Sequence, residues 1–270
     1  VIVNILRKLV LISGFFSAVI SGKLLSIFIQ NLICHFWGNQ IFEGAQIIGH
    51  KDMLKDCTGD EKKVPVFKFL HNSKGVQKLM AGVMTVAFKK HLPAGKKAKF
   101  IVSLGEKDFD LTGVVPKVPD TLLESNMVLD LDGMEVHLIH LGAIHSSSDL
   151  IVWIPSEKVL FAGDIFADCS LPMSLEGGKK WIKVMDYILD ELQPETIIPG
   201  HGEVYDRPRA ENQREYFKSL IDQVEKNFTL AIKSDELIAK IDVNKYIDHR
   251  PRFGWIIATN AITSQLRKRK

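Results

Sequence analysis

Three short apolar segments in the second half of the chain each run directly into a glycine-containing loop that carries a histidine or an aspartate. The first loop holds His145, the second Asp164, and the third His201 between two glycines. Glycine permits tight turns and close backbone approach, while imidazole and carboxylate are the ligands that Zn²⁺ takes in hydrolytic sites. One such histidine by itself is equally well explained as a structural residue. Three such loops in succession predict a metal site at the ends of neighbouring strands.

Strand-like and helix-like patterns alternate around these loops. Apolar and alternating runs predict strands at residues 46–48, 127–129, 134–140, 150–154, 159–162 and 196–198, with a further one starting near residue 96. Asp132-Gly133 predicts a hairpin turn. Apolar residues at spacings of three and four predict helices at residues 177–192, 209–233, 234–248 and 255–266. This mixture predicts a layered α/β or α+β domain.

Composition narrows the classes of partner and compartment. The chain has 270 residues, 46% hydrophobic and 25% charged, which suits a folded domain with a real core. The formal net charge is +3, and the basic residues cluster only at Arg267–Lys270, which is typical of a solvated helix end, so no nucleic-acid partner is predicted. Three cysteines favour a reducing compartment, and therefore the cytoplasm over export.

The amino-terminal residues 1–33 are hydrophobic and have several interpretations. Arg7-Lys8, an apolar run from Leu9 to Ile20 and the small pair Ser21-Gly22 have the shape of a signal peptide or anchor. Membrane association is predicted only if residues 9–33 are such an anchor. The run is shorter than the roughly 20 residues of a membrane span. The alternatives are a buried strand or helix, or sequence that does not belong to the natural protein.

The three loops resemble the later motifs of the metallo-β-lactamase superfamily: a histidine followed by serine, then Gly-Asp after a strand, then Gly-His-Gly. The resemblance covers roughly residues 34–205 and implies a four-layer αββα sandwich with metal at one edge, its amino-terminal part incomplete. It also implies a hydrolase of small molecules that uses one or two zinc ions and a bound hydroxide, with iron or manganese as alternatives. Ester, thioester and lactone bonds are among the candidate targets. Residues 206–270 are expected to form helices on the same domain, and the oligomeric state is not indicated.

The first motif of that family, His-x-His-x-Asp-His, is where this chain departs. The segment 36–42 resembles the residues that follow the motif, which aligns His35 with its last histidine. Cys34 then occupies the aspartate position, and Leu32 and Gln30 occupy the two earlier histidine positions. Upstream of residue 34, none of the family's usual opening strands is recognisable.

The resemblance assigns ligands to two metals. It implies His145 and Asp164 for the first metal, and His35, Asp164 and His201 for the second, with Asp164 bridging. Cys34 could add a thiolate ligand. Asp164 and His35 are the predicted catalytic residues. Asp149 is expected either to orient a ligand histidine from outside the metal's own ligand set or to cap a turn.

Two further interpretations stay open. The chain could be a metal-poor, non-catalytic member, and a shifted reading frame, a retained intron or a truncated gene would also produce the degenerate motif. Among the other histidines, His50 is expected at the surface or outside the ligand set. His137 and His140 are expected to face solvent or to form hydrogen bonds.

Overall fold

The computed structural model describes residues 9–12, 15–20, 23–28, 44–54, 118–146, 148–167, 178–246 and 253–268. For residues before 29, and for a few positions in the last helix, only the backbone is described. Two predicted ligands, Cys34 and His35, lie outside these ranges, as does the strand expected near residue 96.

Within the part of the chain that the structure describes, the first sheet has five strands in the order β1-β2-β3-β4-β5. They are β1 (Leu9–Ile12), β2 (Phe15–Ile20), β3 (Lys23–Phe28), β4 (Gln46–His50) and β5 (Thr121–Leu123). The first three pair antiparallel, and β4 lies parallel to both β3 and β5. Three strands therefore lie before residue 34, where the sequence showed no recognisable opening strand and a buried strand was one of the open interpretations. A continuous apolar run has no alternation from which a strand can be recognised.

The second sheet, counted over the described residues, has six strands in the order β11-β10-β9-β8-β7-β6. They are β6 (Met127–Leu131), β7 (Met134–Gly142), β8 (Asp149–Ile154), β9 (Val159–Gly163), β10 (Thr196–Pro199) and β11 (Tyr205–Asp206). The hairpin predicted at Asp132-Gly133 is confirmed, since both residues have positive φ angles, 54° and 88°, as its turn requires. All neighbours pair antiparallel except β9 and β10, which are parallel.

Among the described residues, four α-helices contribute to one core with this sheet. They are α1 (Gly178–Asp186), α2 (Arg207–Asn227), α3 (Ser234–Ala239) and α4 (Phe253–Lys268). A π-helical segment, Tyr187–Leu192, continues α1 as the sequence predicted. The helix predicted over residues 234–248 is shorter than expected, because α3 ends at Ala239 and residues 244–246 form only one 3₁₀ turn. None of the described helices is both long enough and apolar enough to cross a membrane.

The burial of both faces of strand β8 shows that the described elements form layers. All six of its residues are buried, so both of its faces lie in a core, as a nearly continuous apolar strand predicts. Ile151 and Trp153 join the core formed with the helices, whereas Leu150 and Val152 join the core shared with Ile48 of the first sheet. Helices, second sheet and first sheet are thus successive layers, and the predicted α/β sandwich is confirmed for these three layers.

Candidate metal centre

Asp164 is the central residue of the candidate site, at the carboxyl end of β9. Its side chain is buried with 4% exposure. Gly163 precedes it with a φ of 53°, and Gly200 donates its backbone N–H to the Gly163 carbonyl over 2.7 Å. A Cβ at Gly200 would lie only 2.0 Å from Asp164 Oδ1. The parallel pairing of β9 and β10 therefore needs glycine at 200, because the carboxylate occupies the space of any larger side chain.

Two histidines approach different oxygens of this carboxylate. His145 Nε2 lies 3.3 Å from Oδ2 of Asp164, and His201 Nε2 lies 3.6 Å from Oδ1. His145 comes from the loop after β7, and His201 from the loop after β10. The structure thus places three of the sequence-predicted ligands together at the strand ends, with the carboxylate between the two imidazoles.

Asp149 organises the loop that carries His145. Its two buried oxygens accept the backbone N–H groups of Ile144, His145 and Ser146 over 2.6 to 3.1 Å, and also the Ser146 hydroxyl. Burial raises the pKa of Asp149 to about 6, although these hydrogen bonds act in the opposite direction. Of the two roles that the sequence left open, these contacts match the turn cap. They reach the His145 backbone and not its ring.

Trp181 connects α1 to the loop that carries His145 and to the segment that follows Asp164. Its ring meets the His145 imidazole edge-on, with 5.6 Å between centroids, and its Nε1–H donates to the Ile165 carbonyl over 3.2 Å. The side chain is completely buried and packs against Phe217 of α2. Helix α1 therefore supports the His145 loop and the segment after Asp164 through one residue. Sequence reasoning did not single out this tryptophan, because helical spacing identifies a buried face but not what that face contacts.

A second group of metal-type side chains consists of His50, Asp52 and His140. Each offers one ligand atom, and these atoms all lie within 4.8 Å of one another, so the group could hold a metal ion. Among the described residues it is the one group of three this compact. His50 was expected at the surface or outside the ligand set, and the first of these alternatives is wrong, since the residue is 3% exposed. Its ring stacks on that of His140 with 3.5 Å between centroids.

Both histidines of this second group are held neutral. Desolvation by burial, together with a smaller effect of the neighbouring His50 in the same direction, lowers the pKa of His140 to about 4. Burial also lowers the pKa of His50, against the opposing effect of the Asp52 carboxylate. His137 lies three positions before His140 and therefore on the other face of β7. It is partly exposed, 3.4 Å from Glu135 Oε2.

Comparison with known proteins identifies the family. The sequence model of the metallo-beta-lactamase superfamily matches residues 69–217, which is more than half of the chain and includes His145, Asp164 and His201. The chain belongs to the metallo-beta-lactamase superfamily. It is also 25% identical over 114 residues to metallo-beta-lactamase type 2 of Bacteroides fragilis, a match covering 40% of this chain and 46% of the relative. The chain thus spans about half the length of that relative.

Two solved structures share the fold of this chain. A metallo-beta-lactamase family protein from Thermus thermophilus superposes with a TM-score of 0.55 at 14% identity, covering 94% of this chain and 88% of the other. A stereoselective inverting sec-alkylsulfatase from Pseudomonas sp. superposes with a TM-score of 0.59 at 15% identity, covering 96% of this chain and 49% of the other. At such identities these similarities concern the fold and not the substrate.

Proposed function

We propose that this superfamily member is a zinc-dependent hydrolase that cleaves an ester, thioester, lactone or related bond in a small molecule. The observation that carries the proposal is the approach of two imidazoles to opposite oxygens of the buried Asp164 carboxylate. Each pair matches the separation of about 3.3 Å that two ligands adopt when tetrahedral zinc binds both at roughly 2.0–2.2 Å. The donor set therefore fits one ion on each side of the carboxylate.

Each residue of the proposed zinc centre would have a separate role. Asp164 and His145 would hold one ion, and Asp164 and His201 would hold the other. His35, with Cys34 beside it in the sequence, is proposed to complete the His201 side. Bound zinc would supply a water of lowered pKa and polarise the scissile carbonyl or ester oxygen. Asp149 and Gly200 would keep the His145 loop and the Asp164 carboxylate in place.

The test measures zinc by mass spectrometry in the wild type and in His201→Ala, and compares hydrolysis of aryl ester, thioester and lactone substrates. We expect His201→Ala to lose at least one zinc equivalent and hydrolysis to fall by a factor of 100 or more. His137→Ala is the matched control, because this histidine is partly exposed on β7 and lies outside the proposed ligand set. Zinc and hydrolysis that both survive His201→Ala would contradict the proposal.

A second candidate is a metal-poor member used for binding. Leu32 and Gln30 at the two early histidine positions favour it, since neither leucine nor an amide is a usual zinc ligand. For this candidate we expect no zinc that depends on Asp164 or His201 and no hydrolysis of any substrate class. Retention of the same zinc content in Asp164→Asn as in the wild type would support it.

A further inference from the structure

A second group of metal-type side chains, His50, Asp52 and His140, connects different parts of the fold. It shares no residue with the candidate site formed by His145, Asp164 and His201, here called the Asp164 centre. His50 is the last residue of β4 in the first sheet, and Asp52 lies in the 3₁₀ turn that follows. His140 lies in β7 of the second sheet. An ion held by all three side chains would therefore join the two sheets directly.

Lone pairs converge between His50 and Asp52. His50 Nδ1 accepts the backbone N–H of Asp52 over 3.3 Å, so this nitrogen carries a lone pair and no proton. The same nitrogen lies 3.4 Å from Asp52 Oδ2, which also has only lone pairs to offer. The spacing matches the separation of about 3.3 Å between two ligands of tetrahedral zinc.

The other side of the His50 ring is arranged as in known metal ligands. Besides the Asp52 contact, the ring forms a hydrogen bond with the Glu124 backbone. A ligating histidine commonly donates its second ring N–H to a backbone carbonyl, which fixes the tautomer and the ring orientation. His50 is thus preset with its Nδ1 lone pair directed at the group.

His140 supplies the third nitrogen. Its Nε2 is buried and has no hydrogen-bond partner among the residues that the structure describes. A buried nitrogen without a partner costs free energy that a metal–ligand bond would offset. The rings stack at 3.5 Å with planes inclined by 13°, so one imidazole must rotate about its Cβ–Cγ bond before both can bind one ion. Both rings are neutral at pH 7, which is the ligating form.

We propose that His50, Asp52 and His140 bind a divalent transition-metal ion that links the first sheet to the second. Two imidazoles and one carboxylate suit Zn²⁺, Co²⁺ or Ni²⁺ better than Mg²⁺ or Ca²⁺, which prefer oxygen ligands. The ion would bind the folded protein and not the unfolded chain. The free energy of unfolding should therefore increase with metal concentration. This inference does not depend on the hydrolase proposal, since the ligand sets are separate.

The experiment titrates the metal-free protein with Zn²⁺ and with Co²⁺ by calorimetry, following the Co²⁺ absorption bands and the unfolding temperature. We expect Asp52→Asn and His140→Ala each to weaken binding of one metal equivalent by at least tenfold. Both variants should also lose part of the metal-dependent rise in unfolding temperature. His137→Ala, on the same strand, should titrate like the wild type.

The double variant Asp164→Asn/His201→Ala separates this proposal from the hydrolase proposal. It should keep the equivalent that depends on Asp52 and His140, whether or not the Asp164 centre binds zinc. If His140→Ala does not fold, Asp52→Asn decides the matter, because this carboxylate is partly exposed. Wild-type stoichiometry and affinity in Asp52→Asn would overturn the proposal.

Discussion

At the scale of single residues, the arrangement around Asp164 depends on two glycines, because neither position tolerates a side chain. Gly200 leaves room for the Asp164 carboxylate, and Gly163 takes a positive φ that turns the chain at the end of β9. Both glycines were visible in the sequence as part of the loop motifs. The distance that makes Gly200 indispensable exists only when β10 lies parallel to β9.

Gly200→Ala is expected to displace the Asp164 carboxylate and to reduce metal bound at that centre by at least tenfold, because the new Cβ would overlap Oδ1 and crowd the Asp164 backbone. Metal per chain after dialysis measures this. Gly133→Ala is the control: its φ of 88° strains alanine by about 1–2 kcal/mol, but nothing lies within 4 Å of the new Cβ. Equal metal loss in both variants would show that general destabilisation is the cause.

The stacked histidines predict a pH dependence of the metal-free protein. Folding lowers the pKa of His140 from 6.5 to about 4, so between these values the unfolded chain binds more protons than the folded one. The stabilising contribution is present above pH 6.5 and is lost as the pH falls toward 4. Urea unfolding at pH 7.5 and 5.0 should show a smaller loss in His140→Gln than in the wild type. An identical loss in both proteins would contradict the assignment.

At the scale of elements, β8 and α1 hold the loop that carries His145. The His145 loop is wrapped around the Asp149 carboxylate at the start of β8, and Trp181 of α1 contacts the same loop. The sequence showed Asp149 four residues after His145 but could not choose between a contact to the ring and a contact to the backbone. The compact turn of residues 144–146 makes that choice.

Asp149→Asn is expected to lower the free energy of unfolding by at least about 2 kcal/mol, because the new amide N–H groups face donors that now lack a buried acceptor. Metal affinity at His145 should fall with it. Asp130→Asn is the matched control, since Asp130 also accepts a backbone N–H, from Gly133, but in an exposed turn. Urea unfolding and a metal titration check both effects. A change at Asp149 no larger than that at Asp130 would argue against the loop's dependence on the buried carboxylate.

At the scale of the whole molecule, the second sheet is the central layer, with one core against the helices and another against the first sheet. The helices after residue 205 contribute to the first of these cores. Phe217 of α2 is fully buried there and touches Trp181, so the packing of α2 reaches the candidate metal centre through one intermediate ring.

Phe217→Ala is expected to lower the free energy of unfolding by about 3–5 kcal/mol through lost burial and the cavity left behind. Leu230→Ala should change it by less than about 0.5 kcal/mol, because Leu230 is 61% exposed. Denaturant unfolding of both variants gives the comparison. Similar values for the two would place Phe217 outside the core.

Local pattern was sufficient for much of this protein. The period-2 runs and helical spacings predicted most elements of residues 127–227, and the loop motifs predicted the superfamily and the grouping of His145, Asp164 and His201. These features depend on residues that are close together in the sequence, so they can be predicted from the sequence alone. The strands at residues 9–28 and the backbone role of Asp149 are local features, but neither a continuous apolar run nor the spacing of Asp149 from His145 chooses between the local alternatives. The tertiary structure alone decided what depends on distant segments: the support by Trp181 and the stacking of His50 on His140. Those contacts cross between sheets or layers, and no local spacing encodes which buried side chains will meet there.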